Sequence, residues 1–221
     1  MTRAVTLLEP DVALTDLGLT IECLALAAWL HWRTPMNPLR TWFVIFFAAL
    51  GIAALLGGIT HGFLDDPRST LYGLTWSATL LAIGIAAVAT WTIGARLLFS
   101  ERTAKRVLVV AGLLFIVYAA TILWISRSFT VAIVTYVPAV AFLLLAFALT
   151  YRRRPSSYLR AGIAGLVLSF VAAAIQQAEI GAPGLTHNAL YHLVQAVAML
   201  MIFAAAQGIT QEATCEHDAT S

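Results

Sequence analysis

Seven apolar stretches of about twenty residues each, separated by short polar breaks, occupy most of the chain. They run Leu14–Trp32, Thr41–Leu64, Leu71–Leu98, Val107–Ile125, Thr130–Leu149, Ala161–Gly181 and Asn188–Gly208. A helix needs about 20 apolar residues to cross the hydrocarbon core of a bilayer, and each stretch is close to that length or beyond it. Composition agrees: 61% of the residues are hydrophobic and 11% charged, against roughly 45–50% and ~25% in a soluble domain. The expected fold class is all-α, a polytopic integral membrane seven-helix bundle. It forms one domain over residues 1–210, followed by a short polar tail over 211–221 that is expected to be disordered. No internal repeat or separate soluble domain is visible.

Basic residues orient the expected bundle. Arg33, Arg40, Arg96, Arg102, Lys105, Arg106, Arg152, Arg153, Arg154 and Arg160 fall on the side shared by the first, third and fifth connections. Only Arg3, Arg68 and Arg127 fall on the other. An excess of Lys and Arg marks the cytoplasmic side, so the N-terminus is expected outside and the C-terminus in the cytoplasm. The first stretch has no basic leader and no small-residue cleavage site, and it contains Asp16 and Glu22, so it reads as a retained helix rather than a signal peptide. Cys23 and Cys215 fall on opposite sides of the membrane in this topology and cannot pair within one chain. Cys23 reads as a small packing residue.

Polar side chains inside the apolar stretches collect near one end. With alternating helix directions, Asp16, Glu22, His61, Gln176, Gln177, Glu179, His187, His192 and Gln195 all approach the outer face. A charged group in hydrocarbon costs at least ~2.5–3.5 kcal/mol, so a convergence of such groups points to a site. Asp16 also has a plain reading, as an acid near a helix N-terminus. Glu22 lies about 9 Å deeper and about 120° around the helix, too deep for a cap. His61 and Asp65 stand four residues apart, a spacing that lets a carboxylate orient an imidazole or share a metal with it. Asp66 reads as part of a polar turn with Pro67. Asn188, His192 and Gln195 make one stripe at helical period, which must face protein or a water-filled cavity. His187 is one step off that stripe, at the mouth. Tyr72 and Trp76 are candidate pocket residues that also fit an interfacial aromatic belt.

Two histidines on different helices with a buried carboxylate nearby form a possible zinc set, since catalytic zinc needs three protein ligands and an open place for water. A zinc-bound water with its pKa lowered to about 7 is a nucleophile toward amides and esters. No compact motif such as H-E-x-x-H is present, and a hydrogen-bonded polar core without metal is the plain alternative. Retinal is excluded, because the only lysine, Lys105, lies in a connection and not in the last helix. A rhomboid-type serine protease is disfavoured by the lack of a G-x-S-x-G-like setting. Nucleic-acid binding has no support beyond arginines that topology already explains. A transporter is disfavoured because the polar residues stop near one face.

Glu22, the Gly57-Gly58-Ile59-Thr60-His61-Gly62 stretch and Asn188-x-x-x-His192 together resemble the CREST superfamily, which includes the alkaline ceramidases and the adiponectin and progestin receptors. Within it, the second and seventh helices look most like those of a small uncharacterised group of bacterial membrane proteins, and that likeness implies a bacterial inner (plasma) membrane. The resemblance covers nearly the whole chain, through short motifs. The family pattern has a serine where Gly57 stands here, an aspartate near the third helix, and a histidine where Asn188 stands. It therefore carries over residue by residue to His61 and His192 only. What it implies is a zinc-dependent membrane hydrolase acting on a lipid-like amide or ester. His61, His192 and a third ligand from His187, Glu22 or an aspartate would hold the metal, and Glu22 or Asp65 would serve as base or orienting group. The alternative is a non-catalytic receptor, or a ligand- or metal-binding protein, using the same cavity. Membrane lipids are the expected surroundings and a lipid-like small molecule the expected partner.

Overall fold

The computed structural model describes residues 7–34 and 36–218, with side chains described as far as Glu212. Arg3, residues 219–221 and the side chain of Cys215 lie outside the described residues. Every regular element among the described residues is helical: α1 (Pro10–Arg33), α2 (Pro38–Phe63), α3 (Thr70–Leu98), α4 (Glu101–Ala120) with a π-helical continuation (Thr121–Ile125), α5 (Phe129–Arg153), α6 (Ser157–Gln177) and α7 (His187–Asp218). Each apolar stretch of the sequence becomes one of these seven helices, and all seven are long and apolar enough to cross a membrane.

The helices extend past the apolar stretches where local chemistry favours it. Pro10 and Pro38 occupy the first turns of α1 and α2, where a missing N–H costs nothing and the fixed φ suits a helix. The Asn37 side chain caps α2 by accepting from the Arg40 backbone N–H at 2.8 Å, and Ser69 caps α3 by accepting from Tyr72 N–H at 3.2 Å. At the far end of the chain α7 continues through Asp218, so residues 211–218 of the expected tail are helical. Gln211, Glu212 and Ala213 are good helix formers and no glycine or proline interrupts them. Between α6 and α7 the Leu185 N–H donates to the Ala182 carbonyl at 2.9 Å around Pro183 and Gly184. Gly184 has φ 77, the left-handed value that the third position of a type II turn requires.

α1 packs on α2 and α7, α2 on α3, α3 on α4 and α5, and α6 on α7, while α5 meets α6 more thinly. The main core lies at the end of the bundle where α1 finishes and α2 starts. Phe43, Phe46, Phe47, Phe147, Leu30 and Leu159 are all fully or almost fully buried there. α4 sits on the periphery and leaves Val109, Leu113, Ile116 and Val117 largely exposed. At the opposite end, where α1, α3 and α7 begin and α2 and α6 finish, the bundle opens into a cavity.

Candidate functional site

The cavity has a volume of about 360 Å³ and takes its walls from α1, α2, α3, α5, α6 and α7. That lies within the ~300–1,000 Å³ range of small-molecule sites. Aliphatic and aromatic side chains such as Leu19, Ala53, Ile83, Val140 and Met199 make up most of the wall. Asp16, His61, Gln176, Gln177, Asn188, His192 and Gln195 supply its polar groups.

Asp16 lies inside α1, beyond the first turn, where the acid is Asp11. Only 3% of it is exposed. Its Oδ1 is 3.3 Å from Nε2 of His192 on α7. The carboxylate fits because α2 presents glycine to it. A methyl group at Gly57 would stand 3.3 Å from Asp16 Oδ2, and one at Gly58 would stand 3.0 Å from Asp16 Cβ. The Gly-Gly pair thus makes room for an acidic side chain on the neighbouring helix. Asp16 Oδ2 has no hydrogen-bond partner, an arrangement that is costly in an apolar interior.

The other ring nitrogen of His192, Nδ1, lies 3.2 Å from Thr15 Oγ1. The single Thr15 hydroxyl proton is directed at the Asp11 and Val12 carbonyls, 2.8 and 3.0 Å away. Thr15 Oγ1 therefore accepts, and Nδ1–H of His192 donates to it. The proton between Nε2 and Asp16 Oδ1 is then shared between a carboxyl and an imidazole. Both nitrogens of His192 are engaged within the protein.

His61 enters the cavity from the last turns of α2, with its ring 6.3 Å from that of Trp76. Its Nδ1 lies 3.2 Å from Glu9 Oε2. Asp65 does not share its face: α2 stops at Phe63, so helical spacing does not extend to Asp65, which is exposed in the connection. Glu9 instead reaches His61 from a segment that crosses the end of α2. Leu8 N–H donates to the Gly62 carbonyl at 3.1 Å and Glu9 N–H to the His61 carbonyl at 3.3 Å. Two residues on, Asp11 Oδ2 accepts from the Thr186 backbone N–H at 2.8 Å, tying the start of α1 to the α6–α7 turn.

On the α6–α7 side, Gln176 Nε2 donates to Asn188 Oδ1 at 3.2 Å and Gln195 Nε2 donates to Ser169 Oγ at 3.1 Å. Gln195 is only 7% exposed. Trp76 donates its indole N–H to the Arg127 carbonyl at 2.8 Å, so the belt aromatic is also a wall of the cavity.

The cavity therefore gathers Asp16, His61, Trp76, Gln176, Gln177, Asn188, His192 and Gln195 from the residues singled out in the sequence. Glu22, Tyr72, Glu179, His187, Asp65 and Asp66 do not line it. Glu22 is half-buried on another face of α1, with Oε1 buried and unpartnered. His187 opens α7, and Asp66 accepts from the Arg68 N–H in a turn. Glu179 follows the end of α6 with φ 54.

Sequence reading passed over Glu9, Thr15, Ser169, Tyr136 and Tyr191, and took Cys23 only for a packing residue, although it lines the cavity. Ser169 was within reach, since it lies seven residues before Gln176 and so on the same helix face. Glu9 was hidden because the apolar stretch starts at Leu14, although Pro10 marks an earlier helix start.

A zinc centre of the expected kind needs three protein ligands around one point. Among the described residues no group of three or more His, Cys, Asp and Glu side chains converges on one point. His192 would have to give up Thr15 or Asp16 to offer a lone pair.

Residues 12–211 match a family of unknown function (DUF6962), and the chain belongs to that family. No curated protein and no solved structure matches it.

Proposed function

We propose that this family member is an integral membrane protein that binds a lipid-like amphiphile in the cavity, with no chemistry required of it. The observation that carries the reading is the meeting of Asp16, His61 and His192, from three helices, in one cavity whose wall is mostly apolar. An apolar wall with a few fixed polar groups suits a molecule with a polar head and a hydrocarbon body. The excess of Arg and Lys at the opposite end of the bundle supports an N-terminus-out orientation. The cavity then opens near the outer leaflet of the membrane, a bacterial plasma membrane on the family likeness drawn from the motifs.

Native mass spectrometry of protein purified in a mild non-ionic detergent tests this. The wild type retains a small amphiphile, and Ala173→Trp, which fills the cavity from α6, loses it while keeping its helical circular dichroism. A wild type that retains nothing, and whose thermal unfolding no amphiphile shifts, overturns the proposal.

A second reading is a zinc-dependent hydrolase for a lipid-like amide or ester, supported by two histidines on one cavity and by the CREST-like motifs. It needs His192 to exchange a protein partner for the metal and a third ligand to move in. Metal content of the wild type beside His61→Ala and His192→Ala decides it. Near-stoichiometric zinc lost in both variants supports it, and a folded, metal-free wild type prepared without chelator sinks it.

A further inference from the structure

Two oxygens on the cavity can only accept hydrogen bonds and receive none from the protein. Ser169 Oγ donates its only proton to the Gly165 carbonyl at 3.1 Å, so it can only accept from Gln195. That fixes the Gln195 amide with its nitrogen turned to Ser169 and its carbonyl oxygen left over. No hydrogen bond from the protein reaches that oxygen among the described residues, and the residue as a whole is only 7% exposed. Asp16 Oδ2 is the second such acceptor, buried and without a partner. No lysine or arginine lines the cavity.

We infer that the head group this cavity takes is a hydrogen-bond donor carrying positive charge, a primary alkylammonium on a long hydrocarbon chain. This rests on the cavity being a ligand site, as proposed above. An ammonium offers three donors and no acceptor, which matches oxygens that have none of their own. A phosphate or carboxylate head would bring anionic acceptors to the Asp16 and Gln195 oxygens, which themselves only accept, with no lysine or arginine on the cavity to receive its charge. The apolar wall past Leu19 toward Met199 takes the chain. A short free amine would satisfy the same oxygens and leave that wall empty.

The test uses the full-length protein in a neutral maltoside detergent and four probes: dodecylamine, dodecyl phosphate, dodecanoate and butylamine. Affinity is read by calorimetry. Dodecylamine should bind about tenfold or more tighter than either anion, the worth of one charge-assisted hydrogen bond. Asp16→Asn should erase most of that preference. Gln195→Met removes the other acceptor, lowers dodecylamine affinity, and keeps the question answerable if Asp16→Asn does not fold. Butylamine should bind much more weakly than dodecylamine. Equal affinity for the two amines overturns the membrane-borne ligand in favour of a free amine. An anion that binds as well as dodecylamine overturns the charge inference and leaves the ligand cavity standing. Failure of all four probes overturns the cavity reading itself.

Discussion

At Gly57 an added methyl group would meet the Asp16 carboxylate at 3.3 Å, while at Gly165 it would meet the Ala198 carbonyl oxygen at 2.8 Å and Met201 Cβ at 2.9 Å. Both are glycines in the middle of apolar helices. At the α1–α2 seam the missing side chain makes room for a polar group that the cavity uses. At the α6–α7 seam it lets two backbones interlock below the cavity, a common use of small residues between membrane helices. Gly162 continues that seam, where a methyl group would stand 2.5 Å from Ala205 Cβ. One end of the bundle is thus closed by backbone and aromatic packing, and the other is held open around a buried carboxylate. The same residue type serves stability at one place and a site at the other.

Substitutions at these two positions separate the roles. Gly165→Ala should have the largest effect on the fold, because neither the Ala198 carbonyl nor the α7 backbone can yield cheaply. Overpacking of this kind costs about 1–3 kcal/mol, which thermal unfolding in detergent will read as a lower midpoint, with ligand binding intact in the folded fraction. A Gly165→Ala protein as stable as the wild type would erase the contrast. Gly57→Ser should act in the opposite sense on stability. Its hydroxyl comes within reach of Asp16 Oδ2 and supplies the missing donor, a gain of about 1 kcal/mol, while weakening any ligand that uses the same oxygen. A serine that destabilises the protein or leaves binding unchanged would mean that Asp16 Oδ2 is not what Gly57 serves.

The smallest expected effect concerns the segment over the cavity end. Glu9 is half exposed and its contact with His61 is 3.2 Å, so Glu9→Gln should change stability by about 0–1 kcal/mol, as for other exposed polar pairs. Hydrogen exchange at Leu8 and Glu9 should rise more than elsewhere in the bundle. Uniform exchange across variant and wild type would show that the backbone bonds to Gly62 and His61 hold that segment without the side chain.

Glu179 illustrates where local sequence and local structure disagree. It takes a left-handed φ of 54 after α6, a position that usually holds glycine. The Ile180 N–H nonetheless donates to the Ile175 carbonyl at 3.0 Å, closing the helix end. An acid that looked like part of the polar cluster is instead the residue that turns the chain toward Pro183 and Gly184.

Hydrophobic length alone determined the seven helices, because a span of about 20 apolar residues has one economical structure in a membrane. Position along each stretch, with the helices alternating in direction, also gave depth, placing Asp16, His61, Asn188, His192 and Gln195 near the same end of the bundle. What it could not give was rotation of one helix against the next. Asp16 and Glu22 are both acids in α1, yet packing of α1 on α2 and α7 turned Asp16 to His192 and left Glu22 off the cavity. His61 is paired with Glu9 across 52 positions of sequence rather than with Asp65 four residues away. The helix ended at Phe63, and tertiary contact supplied a nearer carboxylate.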